Sequence, residues 1–112
     1  MKEQLYSKQI AINFTQNDMY SIRTTAYLAY KAGSDELKKI IDAMNTAMPC
    51  SYLSKRSRMK YFTVLMTIED FKNIANLLHD RGKTEISEYI YDEIIDMCMG
   101  LDNDDRTNTI FS

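Results

Sequence analysis

The sequence predicts one α+β domain, mostly helical, in which two tandem strand-helix-helix units share a core around a small two-stranded sheet. Three observations lead there. The 112 residues are 45% hydrophobic and 27% charged with only 3 Gly and 1 Pro, which suits a single compact core and excludes a second domain and intrinsic disorder. Two short segments alternate apolar and polar residues, and four longer ones repeat apolar residues every three or four positions. Residues 10–48 and 62–97 also run through the same signals in the same order, as an internal repeat would.

The first strand is Ile10-Ala11-Ile12-Asn13-Phe14, matched 52 positions later by Phe62-Thr63-Val64-Leu65-Met66. Each runs into Thr-x-x-Asp, Thr15 to Asp18 and Thr67 to Asp70. A threonine hydroxyl there accepts from an orphan helix N–H, and the acid suits the positive helix end, so helices begin at these points. The first helix has Met19, Ile22, Ala26, Ala29 and Tyr30 on one stripe and stops at Gly33; the third has Phe71, Ile74, Leu77 and Leu78 and stops at Gly82. Ser34 and Thr84 are then read as fresh N-caps, followed by acids. The second helix carries Leu37, Ile40, Ile41, Met44 and Met48 inward, and the fourth Ile86, Tyr89, Ile90, Ile94 and Met97, ending at Gly100. Two strands make a marginal sheet. Either Leu5 to Gln9 lengthens the first strand, or an edge pairs with a second molecule as a homodimer, which Lys8 or Lys60 at the strand ends would discourage.

Domain organisation is therefore one domain over 1–112, with a basic connector at 49–61 and a solvated acidic tail at 101–112. The longest apolar runs, such as Val64-Leu65-Met66, are far too short to cross a bilayer. The polar start Met1-Lys2-Glu3-Gln4 lacks the pattern of a secretory signal, so a cytoplasmic location is expected. Cys50 and Cys98 have no CxxC neighbour and are expected to be buried, reduced thiols.

Catalytic constellations are weak. The lone His79 falls at the end of the third helix, where a cation suits the helix C-terminus. The three glycines each close a helix and do not cluster into a phosphate loop. A Ca²⁺ loop starting at Asp102 would need Gly at its sixth position, where Thr107 stands, and the chain ends before its twelfth. A non-enzymatic protein without metal or cofactor is the expectation.

The formal net charge of −2 conceals an uneven layout. Eight acids and no Lys or Arg lie between Glu85 and Asp105. On the fourth helix Glu85, Glu88, Asp92 and Asp96 share one face with Glu93 at its side, opposite Ile86, Ile90, Ile94 and Met97. Like charges so spaced cost a few tenths of a kcal/mol per pair, which a partner's Lys or Arg would relieve. Upstream, Lys55, Arg56, Arg58 and Lys60 with Tyr61 combine phosphate-binding cations and a stacking ring. Eight tyrosines exceed what the helix stripes can bury, so some of Tyr20, Tyr27, Tyr30, Tyr89 and Tyr91 are expected at an interface.

The leading expectation is a protein-binding modulator or inhibitor that engages a basic partner protein through the acidic face and exposed tyrosines. Its Lys, Asn, Ile and Tyr richness is of the sort met in phage and mobile-element accessory proteins. The alternative is a dimeric nucleic-acid-binding regulator using the basic connector 55–60, against which the sequence pI near 5.3 counts.

Overall fold

A computed structural model describes residues 8–51 and 59–111, with side chains through Cys98. Among them the chain forms β1 (Gln9–Thr15), α1 (Gln16–Lys31), α2 (Leu37–Asn45), β2 (Met48–Pro49), β3 (Tyr61–Thr67), α3 (Ile68–Asp80) and α4 (Thr84–Phe111). It is a mixed α/β structure with a small antiparallel sheet in the order β1-β3-β2. The expected two-stranded sheet is corrected to three strands; Leu5 to Ser7, part of the stretch expected to lengthen the first strand, lie outside the described residues, and the third strand is supplied from elsewhere in the chain. It comes from Met48, which was assigned to the buried stripe of the second helix. That helix stops at Asn45, where the Thr46 hydroxyl donates back to the carbonyls of Asp42 and Ala43 at 3.0 and 3.3 Å. Met48 then lies opposite Thr63 on β3 and is 62% exposed.

β1 and β3 pair antiparallel with Ile12 opposite Val64. Two backbone bonds close the ladder in matching fashion: Gln16 N donates to Lys60 O at 3.1 Å, and Ile68 N donates to Lys8 O at 3.3 Å. The even-numbered positions therefore exchange bonds between the strands, and their side chains Ile12, Phe14, Val64 and Met66 point into the core. The odd-numbered positions aim their peptide groups at the outer edges. On β3 those groups meet β2, with Cys50 N donating to Tyr61 O at 2.9 Å.

The helices cover the core face. α1 and α3 pack together over the sheet, with α2 against α1 and α4 against α3. Buried Ile22, Ala26, Ile40, Phe71, Ile74, Leu78 and Ile90 join the strand residues in one cluster. Both helix starts follow the expected chemistry. Thr15 Oγ accepts from Asp18 N at 3.2 Å and Thr67 Oγ from Asp70 N at 3.1 Å. Both stops do too: Gly33 and Gly82 have φ of 116° and 83°, and the next residues, Ser34 and Lys83, donate to Ala29 O and Leu78 O. These are Schellman closures, which need a left-handed residue at that point.

Three local expectations are corrected. Ser34 does not cap α2. Its carbonyl accepts from Leu37 N in a turn, and the helix begins after Glu36 with no side-chain cap. Gly100 does not end the fourth helix, which continues to Phe111 and so makes residues 101–111 helical. A mid-helix glycine costs only about 1 kcal/mol, and no proline follows to stop the chain. Cys50 and Cys98 are unpaired as expected but only half-buried, since they lie where β2 leaves the sheet and on the flank of α4.

The caps make a first prediction. Thr15→Ala and Thr67→Ala should each lower unfolding free energy by about 1 kcal/mol, and Gly82→Ala by about 1 kcal/mol through backbone strain alone, because a Cβ there meets open space. Urea unfolding followed by circular dichroism checks all three.

Candidate acidic interface on the fourth helix

The amphipathic pattern of α4 turns Ser87, Ile90 and Ile94 inward and leaves Glu85, Glu88, Asp92 and Asp96 in solvent. The structure thus brings four of the five expected acidic residues onto one exposed face. Glu93 differs. It is half-buried and sits on the flank, close enough to Tyr89 to act on its phenol. Ile95, which sequence reasoning passed over, is 49% exposed beside Asp92 and Asp96. Its signal was available in the helical period, since position 95 lies one turn from both Asp92 and Met99 and away from Ile90 and Ile94.

Tyr89 anchors this helix to the sheet. Its hydroxyl donates to the Asn13 carbonyl at 2.5 Å, and its ring meets Phe14 edge-on with centroids 5.7 Å apart. Asn13 is odd-numbered, so its carbonyl points away from β3 toward the free edge of β1. Asn13 also accepts from Thr63 Oγ at 2.6 Å through its side chain. α4 is held on its other side by the Tyr91 hydroxyl, which donates to Asn76 on α3. The phenol of Tyr89 thus occupies the middle of the edge through which a homodimer was expected, and an incoming strand would have to displace it.

Burial pushes the Tyr89 phenol up from 10.0 to about 12, helped by the negative charges of Glu93 and Asp18 and by Tyr61. The neutral phenol is a donor, and deprotonation both removes the bond to Asn13 and places a new charge beside two carboxylates.

Asp18 and Ser21 of α1 face Gly82, Lys83, Thr84, Glu85 and Ile86 across an open cleft of about 340 Å³. Two carboxylates, one ammonium and the hydroxyls of Ser21 and Thr84 line it, with no thiol or imidazole. His79 is exposed in the last turn of α3. Among the described residues no three His, Cys, Asp or Glu side chains are grouped to hold a metal ion, and no helix is long and apolar enough to cross a membrane.

Of the basic connector, Lys55, Arg56 and Arg58 lie outside the described residues. Lys60 is exposed and Tyr61 half-buried where β3 begins. Among the described residues, tyrosine exposure falls on α1, where Tyr20 is 65% exposed and Tyr27 and Leu28 share its solvent side; Tyr30, Tyr89 and Tyr91 are half-buried.

The state of Tyr89 sets an alkaline limit. Between pH 10.0 and about 12 the unfolded chain releases this proton while the folded chain retains it. Stability contributed by the phenol is full below that window and falls as pH rises through it. The absorbance titration of wild type minus Tyr89→Phe should show one phenol with a midpoint near 12. Tyr89→Phe should also lower stability at neutral pH by about 1 kcal/mol and flatten its decline in the alkaline window.

Comparison with known protein families, curated proteins and solved structures finds no match to this chain.

Proposed function

We propose that this chain is a small non-enzymatic binding protein, a modulator or inhibitor whose acidic α4 face engages a basic surface of another protein. The observation that carries the reading is the exposed row Glu85, Glu88, Asp92 and Asp96 with Ile95 beside it. An apolar side chain at the edge of a row of like charge suits a docking surface, since it adds contact area where the charges set orientation and steer approach. The like charges strain the free helix slightly, and a partner's cations relieve that strain.

An internal duplication belongs to the same reading. The matched Thr caps, the matched glycine closures and the paired bonds of Gln16 and Ile68 support it. The two halves differ mainly in their last helix, Leu37–Asn45 in one and Thr84–Phe111 in the other. The acidic face is thus the part in which the second half departs from the first. A cytoplasmic site of action and an origin among phage or mobile-element accessory proteins complete the proposal.

The test is charge reversal at exposed positions that leave the core untouched. Glu88→Lys, Asp92→Lys and Asp96→Lys together should preserve the circular dichroism spectrum and abolish salt-sensitive binding to immobilised poly-lysine. They should also abolish retention of any lysate protein that survives nuclease treatment. A triple variant that folds and still binds as wild type defeats the reading. Retention lost on nuclease treatment would favour nucleic-acid binding through the connector.

A further inference from the structure

The solvent face of α1 is the other unusual surface of the helical layer. Tyr20, Arg23, Thr24, Tyr27, Leu28 and Lys31 are all exposed, opposite buried Met19, Ile22, Ala26 and Ala29. Tyr20, Tyr27 and Leu28 are three of the seven large hydrophobic residues most exposed among those described. Every charge on this face is positive. Lys31 Nζ lies 5.1 Å from the centre of the Tyr27 ring, so cation and ring form one ridge. Aromatic rings with arginine are the side chains enriched where proteins dock.

We infer that this α1 face docks on the acidic α4 face of a second copy, and reciprocally, in a twofold dimer. The inference rests on the reading of the acidic face as a protein-binding surface and names its partner. Spacing supplies the first argument. Arg23, Tyr27 and Lys31 stand at intervals of four, as do Glu88, Asp92 and Asp96. Each ridge is about 12 Å long. In antiparallel register Arg23 meets Asp96, Lys31 meets Glu88 and Tyr27 lies over Asp92, with Ile95 against the exposed aromatic side.

Placement supplies the second. Asp18 and Ser21 of α1 and Glu85 and Ile86 of α4 line one cleft, so the two helices begin at the same end of the molecule. A twofold axis perpendicular to them at the level of Tyr27 and Asp92, about two turns from that cleft, sets each α1 antiparallel on the partner's α4, so both contacts form at once and the interface is closed. The near balance of charge, −2 per chain, leaves little long-range repulsion between copies.

Equilibrium sedimentation of the full chain over a concentration series tests it. Wild type should show a reversible monomer–dimer equilibrium. The pair Arg23→Glu with Lys31→Glu should weaken dimerisation by about 100-fold, because the reciprocal contact loses four ion pairs. Glu88→Lys with Asp96→Lys should do the same. All four substitutions in one chain should restore dimerisation to within about tenfold of wild type, since every pair is re-formed with reversed sign. A chain that stays monomeric up to about 1 mM, a dimer indifferent to either pair, or no rescue by the combination would overturn it. Poly-lysine binding separates this outcome from that of the broader reading. The folded Arg23→Glu, Lys31→Glu chain should still bind poly-lysine through its free acidic face, whatever its oligomeric state.

Discussion

The pairing of β1 with β3 is the contact on which the other elements depend. Ile12 lies opposite Val64, and from that register follows which side chains enter the core and which peptide groups face outward. A slip by one residue would send Ile12, Phe14, Val64 and Met66 to the open face and Asn13 and Thr63 into the helices. It would also shift the two helices that rise directly from the strand ends relative to the sheet they cover. Sheet and helix positions are therefore specified together.

Asn13 shows how that register reaches the candidate interface. Its side chain accepts from Thr63 across the ladder, and its carbonyl accepts from Tyr89 on α4. One residue thus links the sheet to the helix that presents the acids. Tyr89 in turn packs its ring on Phe14, which packs on Phe71 of α3. The exposed carboxylates stand on a helix whose inner side is fixed at the strand edge and, through Tyr91, at α3. A surface so held is pre-organised, and binding through it spends little on ordering.

Much of this was legible in the sequence because it is local. Thr-x-x-Asp, the closures at Gly33 and Gly82 and the apolar stripes are signals within one or two turns, and the structure places them as read apart from Met48. What was missed depends on contacts distant in sequence or on competition between neighbours. β2 is two residues long and exists only because β3 offers an edge to Met48 and Pro49. Ser34 had the chemistry of a cap, but the Schellman closure at Gly33 engages its amide and directs its carbonyl to Leu37. Gly100 resembled Gly33 and Gly82, yet a glycine closes a helix only where the chain turns back to pack. The acids of α4 were read correctly as a row because helical period places them. Glu93 was placed at the side of that row by the same period and lies there; its half-burial was not legible.

The separation of the two strands also bears on how the chain comes to fold. Asn13 and Thr63, paired across the ladder, are 50 positions apart. The α1–α2 hairpin can form from near neighbours soon after it leaves the ribosome, but β1 has no partner until β3 has been made. Throughout that interval an uncharged seven-residue strand, Gln9 to Thr15, waits with both edges unpaired. The guard at Asn13 arrives later still, because Tyr89 is synthesised after β3. Synthesis order thus makes the first strand the last to be protected, and the nascent chain is most open to pairing with a neighbour during that interval.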